Sequence, residues 1–215
     1  MIPIAKEVRV LLIVIGVILA LISYKFFQDY DSVNLVWPNL ILLAWLIYIA
    51  LLFLFRDFSR VVPAQPLAIV SPLDATVSNV TEAYDPYLQR VAQCIHLRQL
   101  GLGEFNVHSP IEGKVQNLWV LSPTEPEFPQ LAMWIQTDES DDVVIAANLK
   151  SMFRHATCSI SAGEKLGQGQ RCGFMAFACE MVIYMPASAH VAIKVGQSVR
   201  AGSDKLAEFI HENEN

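Results

Sequence analysis

The chain has 215 residues, of which 53% are hydrophobic, and its mean hydropathy of +0.39 is too apolar for a typical soluble domain. The formal net charge of −6 belongs entirely to the part after residue 55, because the first 55 residues carry three charged side chains of each sign. An acidic balance of this kind argues against nucleic acid as a partner.

Two apolar segments near the N-terminus predict membrane-spanning helices. The segment 35–55 is apolar apart from Asn39 and carries no charge. At about 1.5 Å of rise per residue, it spans roughly the 30 Å hydrocarbon layer of a bilayer. The segment 10–27 is a second span, interrupted by Lys25, whose long stem can carry its charge to the interface. We therefore predict that residues 1–60 form a membrane anchor with two transmembrane helices, at about 10–27 and 35–55.

The first apolar segment has an alternative interpretation as a secretory signal peptide, because Lys6 and Arg9 precede a short apolar run. No small-x-small cleavage site follows that run, which favours the membrane helix. Basic residues also follow the second span, at Arg56 and Arg60, whereas the short loop between the spans is acidic. The positive-inside rule then places both ends of the hairpin in the cytoplasm. The expected location is the inner cell membrane, with the folded domain on the cytoplasmic side.

From residue 61 to 215 the chain becomes a series of short apolar or alternating runs punctuated by Gly and Pro, which is typical of β structure. We predict a mainly β fold, a compact β-barrel or sandwich domain that follows the helical hairpin. The segment 148–155 is the best candidate for a short helix. The predicted strands are Leu67–Val70, Ala75–Val80, Val91–Leu97, Lys114–Val120, Leu131–Gln136, Val143–Ala147, Thr157–Ser161, Phe174–Phe177, Met181–Tyr184 and Ala189–Val195.

One short pattern occurs twice in this domain. The segments 163–169 and 196–202 share the spacing Gly-x-x-apolar-x-x-Gly. Such spacing indicates a tight turn between strands in which glycine supplies positive φ angles. Paired turns of this kind recur in lipoyl-like sandwich folds, so the domain is expected to have features of that fold.

The four cysteines, Cys94, Cys158, Cys172 and Cys179, show neither CxxC pairing nor metal-ligand spacing. Neither a disulfide framework nor a zinc site is indicated, and a reducing compartment fits this usage. The acidic cluster at 138–142 lacks the glycine and the ligand spacing of a calcium loop, so a solvated turn is expected there. No Gly-rich phosphate-binding loop occurs, and the expectation is that the protein uses neither a metal nor a nucleotide.

Four stretches of the chain occur in an order that resembles one enzyme family. They are PIAKE at 3–7, FLFRDFSRVVPAQPLAIVSPLDATV at 53–77, FNVHSPIEGKV at 105–115 and GEKLGQGQRCGFMAFACEMVIYMP at 163–186. On these motifs the chain resembles the small, pyruvoyl-dependent phosphatidylserine decarboxylases. In that family a Gly-Ser pair follows an apolar strand, and its serine becomes the pyruvoyl group. The corresponding pair here is Ala178-Cys179.

The resemblance implies a reaction and a role for each matching residue. It implies self-cleavage between Ala178 and Cys179, with Cys179 as the nucleophile and the precursor of the pyruvoyl group. It also implies that His108 acts as a base together with the acid Asp74. The enzyme would convert membrane phosphatidylserine to phosphatidylethanolamine and CO2. Such a decarboxylation needs an electron sink that no standard side chain supplies. Assembly as a homo-oligomer is left open.

Two departures from the family pattern leave a second function open. A thiol at residue 179 would give a thioester where serine gives an ester. The Cβ of Ala178 would cost about 1 kcal/mol or more if the family glycine has a positive φ. The alternative is an unprocessed, catalytically inactive membrane protein that binds lipid headgroups or serves as a regulatory protein. In that protein Cys179 would be a buried strand residue, His108 a surface-loop residue and Asp74 part of an Asx turn.

A membrane-fusion adaptor of an export system is a third hypothesis. The stretch SPIEGKV and the paired glycine turns also look like a lipoyl-type half-motif behind a membrane anchor. Such adaptors carry a long helical hairpin between the half-motifs, and no heptad run lies between Lys114 and Gly196. A biotin or lipoyl carrier is excluded, because residues 179–181 include no lysine for the attachment.

Overall fold

A computed structural model describes residues 6–28, 36–56, 60–62, 65–99, 104–120, 131–149, 155–158, 160–176 and 179–210. The chain divides into two compact units, Met1–Phe58 and Ser59–Asn215. The elements are α1 (Lys6–Gln28), α2 (Val36–Leu54), β1 (Ala68–Val70), β2 (Ala75–Asp85), β3 (Arg90–Gln99), β4 (Asn106–His108), β5 (Gly113–Val120), β6 (Leu131–Gln136), β7 (Asp142–Leu149), β8 (His155–Cys158), β9 (Lys165–Leu166), β10 (Arg171–Ala176), β11 (Cys179–Pro186), β12 (His190–Val191), β13 (Ser198–Val199) and β14 (Lys205–Glu208).

The first unit is a pair of apolar helices. The spans Val8–Gln28 and Trp37–Leu54 have mean hydropathies of 2.6 and 2.1, so both are long and apolar enough to cross a membrane. Nε1 of Trp45 donates a hydrogen bond to Oγ of Ser23 at 3.1 Å, which ties α2 to α1. This agrees with the two transmembrane helices that the sequence predicts.

Tyr48 makes the second polar contact between the helices. Its hydroxyl donates to the carbonyl of Leu12 at 3.2 Å. Gly16 provides the space for the phenol, since a Cβ there would meet the Tyr48 hydroxyl at 2.5 Å. In an apolar solvent, hydrogen bonds and close packing at small residues are the forces that hold two helices together.

The second unit is built on an eight-stranded antiparallel sheet, in the order β13-β2-β3-β11-β7-β6-β5-β9. Strand β11 is central in it, because its residues pair with β3 on one side and β7 on the other. Successive side chains of β11 point to opposite faces of the sheet. On one face, Met181, Ile183 and Met185 are at most 1% exposed and join the main hydrophobic core. Two three-stranded sheets, β1-β14-β12 and β4-β10-β8, complete the unit.

The predicted β fold is confirmed, and most of the predicted strands occur within a few residues of their predicted bounds. The large sheet begins at β13 and ends at β9, so in the described residues it is open and does not close into a barrel. The predicted helix at 148–155 is wrong at both ends: Asn148 lies in β7 opposite Glu180, and His155 begins β8. Pairing with β11 makes Asn148 part of a strand, and asparagine is itself a weak helix former. Residues 150–154 lie outside the described residues.

A seven-residue motif is repeated in this unit. The segments 71–77 (SPLDATV) and 109–115 (SPIEGKV) make the same local hydrogen bonds. Each serine hydroxyl donates to the backbone carbonyl two residues later, at 2.7 Å in both copies. Each copy also binds one of the two glycine turns, because the N–H groups of Gly202 and Gly169 donate to the carbonyls of Ser71 and Ser109. The glycines at 163, 169, 196 and 202 all have positive φ, between 67° and 95°, as the repeated spacing predicts.

The two copies are joined by a reciprocal pair of hydrogen bonds. The N–H of Val70, which precedes the first copy, donates to the carbonyl of Pro110 in the second copy. The N–H of His108, which precedes the second copy, donates to the carbonyl of Pro72 in the first, and both distances are 2.9 Å. His108 therefore occupies the position that Val70 has in the other copy. The hydrogen bond from its N–H to Pro72 brings His108 close to the loop that ends at Asp74.

Candidate functional site

Asp74 lies immediately before β2, and its side chain is buried. Its Oδ1 accepts from the backbone N–H of Ala201 and its Oδ2 from that of Glu104, both at 2.8 Å. The guanidinium of Arg60 donates to both oxygens, with Nη2 at 2.7 Å from Oδ2. Burial by itself would raise the pKa of Asp74, but the hydrogen bonds from Arg60 and from the two backbone groups outweigh it and hold the pKa below its usual value. Asp74 is therefore an ionised carboxylate that joins three distant parts of the chain.

A second buried carboxylate, that of Glu104, lies beside the first, with a side chain that is 1% exposed. Its Oε1 accepts from Nδ2 of Asn106 at 2.9 Å and lies 3.2 Å from Nε2 of His108. Its Oε2 lies 3.7 Å from Nε of Arg60 and has no hydrogen-bond partner among the described residues. Arg60 thus faces two carboxylates, and its pKa is raised, chiefly by the hydrogen bond to Asp74.

His108 ends β4 and is 5% exposed. Its Nδ1 lies 2.7 Å from the carbonyl oxygen of Gly169, and its Nε2 faces Glu104. Gly202 packs against the same ring, since a Cβ at that residue would come within 2.9 Å of Nδ1. The imidazole is therefore held between a carbonyl group, a carboxylate and the backbone of a glycine turn.

The structure brings the predicted residues Asp74 and His108 into one cluster and joins them through Glu104. The oxygens of Asp74 bind Arg60 and two backbone N–H groups, whereas the carboxylate at the imidazole belongs to Glu104. Because His108 is buried and the partners of Asp74 are distant in sequence, the alternatives of a surface-loop histidine and a local Asx turn do not describe them.

The sequence reasoning assigned no role to Glu104 or Arg60. Glu104 directly precedes FNVHSP, and Arg60 stands in the stretch FLFRDFSRVVP, so both lie at the edges of motifs that carried the resemblance. Only the folded arrangement shows that the two side chains meet, because they are more than forty residues apart in the chain.

The pair Ala178-Cys179, at which the sequence predicts cleavage, is described in part. Ala178 lies outside the described residues, and Cys179 is described by its backbone alone, as the first residue of β11. The Cα of Cys179 pairs with that of Leu149 on β7. On the other side of β11, Glu180 pairs with Arg98, the residue before the last residue of β3.

That last residue of β3 is Gln99, which connects the start of β11 to the cluster. Gln99 pairs with Ala75, the residue after Asp74. Because adjacent strands lie about 4.8 Å apart, the Cα of Glu180, the residue after Cys179, is about 10 Å across the sheet from that of Thr76, which also pairs with Arg98. The buried side chain of Gln99 also donates from Nε2 to the carbonyl of Met175 at 2.9 Å, near the end of β10. Both flanks of the cleavage pair are thus fixed to the same strand.

The other three cysteines are free thiols that the structure places in or near the core. Burial raises the pKa of Cys94 to about 11 and also raises the pKa of Cys172. Thiolate is the nucleophilic form of cysteine, so these two thiols are poorly suited to attack a carbonyl group. In the part of the chain that the structure describes, no group of three or more His, Cys, Asp or Glu side chains could hold a metal ion.

Comparisons with known proteins identify relatives over most of the chain. The sequence model of the family described as "Phosphatidylserine decarboxylase" matches residues 49–207. A protein named phosphatidylserine decarboxylase proenzyme from Nitrosomonas europaea is 34% identical over 177 residues, which cover 77% of this chain and 81% of the relative. A protein of the same name from Burkholderia mallei is 32% identical over 188 residues, covering 82% of this chain and 83% of the relative. Among solved structures, the glucose permease IIA from Mycoplasma capricolum has a TM-score of 0.45 at 15% identity, covering 66% of this chain and 94% of that one.

Proposed function

The chain belongs to the phosphatidylserine decarboxylase family, and on that premise we propose that it converts phosphatidylserine to phosphatidylethanolamine and CO2 through a pyruvoyl group formed from Cys179. The observation that carries the proposal is the buried cluster of Arg60, Asp74, Glu104 and His108. A buried histidine paired with a carboxylate is the equipment that proton removal requires, and Asp74 adjoins the strands that lead to Cys179.

The residues present fit the formation of this group. Cys179 carries a heteroatom on its Cβ, as elimination requires, and Gln99 holds the carbonyl of Met175 a few residues before it. When formed, the pyruvoyl carbonyl supplies the electron sink that decarboxylation of an amino acid needs. The protein's own side chains remove protons and fix the residues on either side of the pair Ala178-Cys179.

The proposed cleavage has two bond-breaking steps. In the first, the thiol of Cys179 gives its proton to His108, and the sulfur attacks the carbonyl carbon of Ala178. The C–N bond breaks, the nitrogen takes up a proton, and the acyl group is now held on sulfur as a thioester. In the second, a base removes the α-proton of Cys179, and the Cβ–S bond breaks with its electron pair on sulfur. Water then hydrolyses the dehydroalanine, ammonia leaves, and the pyruvoyl group begins the fragment 179–215.

The fragment that keeps the sulfur atom of Cys179 has its end group determined by this mechanism. The sulfur leaves with the acyl carbon, so the fragment 1–178 ends in a thiocarboxylate, whereas a serine at residue 179 would leave a carboxylate. Hydrolysis by a contaminating protease would also leave a carboxylate and would retain the intact cysteine on the small fragment. The end groups therefore distinguish self-cleavage at Cys179 from other routes to the same two fragments.

Intact-mass measurement of the purified full chain in detergent tests the proposal. We expect a small fragment of about 4 kDa, since residues 179–215 are 37 of the 215 residues of a 24.0 kDa chain. Its first residue should be pyruvoyl, and the large fragment should be heavier than the free acid by the difference between sulfur and oxygen. Carbon dioxide release from phosphatidylserine vesicles should accompany cleavage. One intact band that keeps an unmodified Cys179 and releases no CO2 would refute the proposal.

Three variants serve as controls for this measurement. Cys179→Ala should stay intact, because the nucleophile is removed. Cys179→Ser should cleave with a carboxylate on the large fragment, and the added change Ala178→Gly should accelerate cleavage if the Cβ of Ala178 strains the backbone.

The membrane setting is proposed to be the inner cell membrane, with the β unit in the cytoplasm. The supporting observation is the charge pattern: Lys6 and Arg9 lie at the N-terminal end of α1, and Arg56 follows α2. Labelling of intact cells with a membrane-impermeant thiol or amine reagent should leave the β unit unmodified, and labelling after permeabilisation should modify it. Modification of the β unit in intact cells would contradict this orientation.

A second candidate function is supported by the pair Ala178-Cys179 itself, which departs from the Gly-Ser of the family resemblance. It is an unprocessed membrane protein that binds the phosphatidylserine headgroup without chemistry. The intact chain, reconstituted in nanodiscs, would then retain soluble phosphoserine headgroup analogues while showing neither cleavage nor CO2 release.

A further inference from the structure

His108 has a hydrogen-bond acceptor at each ring nitrogen. The carbonyl oxygen of Gly169, 2.7 Å from Nδ1, can only accept, so Nδ1 carries a hydrogen in every protonation state of the ring that keeps this bond. Nε2 is therefore the nitrogen at which a proton can be gained or lost. The group that faces Nε2 is the carboxylate of Glu104, at 3.2 Å. The structure thus assigns the proton-transferring side of the imidazole to Glu104.

Glu104 is held as firmly as the imidazole. Its side chain is 1% exposed, and Asn106 donates to the same oxygen, Oε1, that faces the ring. Its other oxygen lies 3.7 Å from the guanidinium of Arg60, whose charge offsets the cost of burying the carboxylate. Asp74 fixes Glu104 from two directions, because it accepts the backbone N–H of Glu104 and binds the guanidinium of Arg60.

We propose that Glu104 is the positioning residue of His108, and that Glu104 and Nε2 of His108 share one proton. In this arrangement Asp74 acts one step farther away, by holding Arg60 and the backbone of Glu104. The inference rests on the proposed function, in that the reaction served is the self-cleavage at Cys179. It differs from the expectation that Asp74 is the direct acid partner of the histidine.

The shared proton has a consequence for catalysis. While it lies between Nε2 and Oε1, the ring has no free lone pair and cannot take a proton from Cys179. The pair becomes a base when this proton is lost, and the charged groups around it are then Glu104, Arg60 and Asp74.

Nitrogen NMR of the histidine ring tests the inference without requiring cleavage. The full chain carrying Cys179→Ala, labelled with ¹⁵N-histidine and held in detergent micelles, should show Nδ1 protonated and Nε2 hydrogen-bonded to a carboxylate. Adding Glu104→Gln should shift the Nε2 signal, because the amide donates to Nε2 where the carboxylate accepts. Glu112→Gln is the matched control: it lies in the second copy at the position of Asp74, is exposed, and should leave the ring signals unchanged.

In the chain with Cys179 intact, Glu104→Gln should slow cleavage by roughly 100-fold, as loss of general-base assistance does. If Glu104→Gln does not fold, Asn106→Ala serves instead. It removes one hydrogen-bond donor from the carboxylate of Glu104, keeps the charge of that carboxylate, and should still shift the Nε2 signal. An unchanged Nε2 signal in Glu104→Gln, with a changed one in Asp74→Asn, would overturn the inference. A wild-type chain that never cleaves but shows the expected Nε2 shifts would refute the proposed function and leave the role of Glu104 standing.

Discussion

At the scale of single residues, the arrangement around Arg60 explains why two carboxylates can be buried side by side. One guanidinium faces both, and each carboxylate has further donors from the backbone or from Asn106. Removing one partner of a buried pair is costly because it leaves the remaining charge without compensation. The cluster is therefore expected to contribute to stability as well as to chemistry, and its contribution must depend on pH.

The pH dependence of Asp74 has a definite sign. Its pKa in the folded protein is lower than usual, so its stabilisation is fully present above the unfolded-state pKa of about 3.9 and is lost as pH falls through the folded-state pKa. We expect Asp74→Asn to lower the free energy of unfolding by about 2 kcal/mol at pH 7, the range for hydrogen bonds to a charged group. The difference between the two proteins should shrink on acidification below pH about 4.

Urea unfolding followed by tryptophan fluorescence measures this difference. Asp138→Asn is the control, because that side chain is 79% exposed and pairs with an exposed lysine, so the change should have little effect at either pH. If the free energy of unfolding of Asp74→Asn stays below that of the wild-type protein by a constant amount from pH 7 to pH 3, the assignment of an ionised, hydrogen-bonded Asp74 is contradicted.

At the scale of elements, sequence periodicity predicted what depends on local pattern. The apolar segments at 10–27 and 35–55 appear as α1 and α2, and the runs at 91–97 and 181–184 appear within β3 and β11. The very short strands β4, β9, β13 and β14 were not predicted, because two to four residues are too few to show a period of two. The contact between Glu104 and His108 was likewise not predicted from the sequence. It depends on the reciprocal hydrogen bonds between the two copies of the seven-residue motif and on the ion pair of Glu104 with Arg60.

The glycine turns allow a test at this scale. Gly196 and Gly202 both have positive φ, so alanine at either should strain the backbone by a similar amount, about 1 kcal/mol. They differ in their surroundings: nothing lies within 4 Å of a Cβ at Gly196, whereas a Cβ at Gly202 would press on the ring of His108. Gly202→Ala should therefore slow cleavage and shift the His108 ring signals, and Gly196→Ala should reduce stability alone. Equal effects of the two variants on cleavage would show that the ring contact has no functional role.

At the scale of the whole molecule, the proposed cleavage before Cys179 would divide the β unit within its largest sheet. The fragment 179–215 contains β11, β12, β13 and β14, and β11 is hydrogen-bonded to β3 and β7 on its two sides. The same fragment supplies Ala201, whose N–H binds Asp74, and β14, which pairs with β1. The site is complete only when residues from both fragments are present.

The two fragments should therefore stay together after cleavage. A tagged large fragment should retain the small one through affinity purification and gel filtration in mild detergent, and should release it in concentrated urea or guanidinium. The uncleaved Cys179→Ala chain provides the reference elution volume. Loss of the small fragment under native conditions would show that β11 does not hold its place between β3 and β7.

The central place of β11 also orders events during synthesis. Without this strand the large sheet consists of two separate parts, β13-β2-β3 and β7-β6-β5-β9, and β13 itself is made later still. The ribosome must therefore translate past residue 186 before β11 can join these parts, and past residue 201 before Asp74 can acquire the N–H of Ala201. A chain still emerging from the ribosome therefore has an unfinished cluster, and we expect the proposed cleavage before Cys179 to wait until residue 201 has been added.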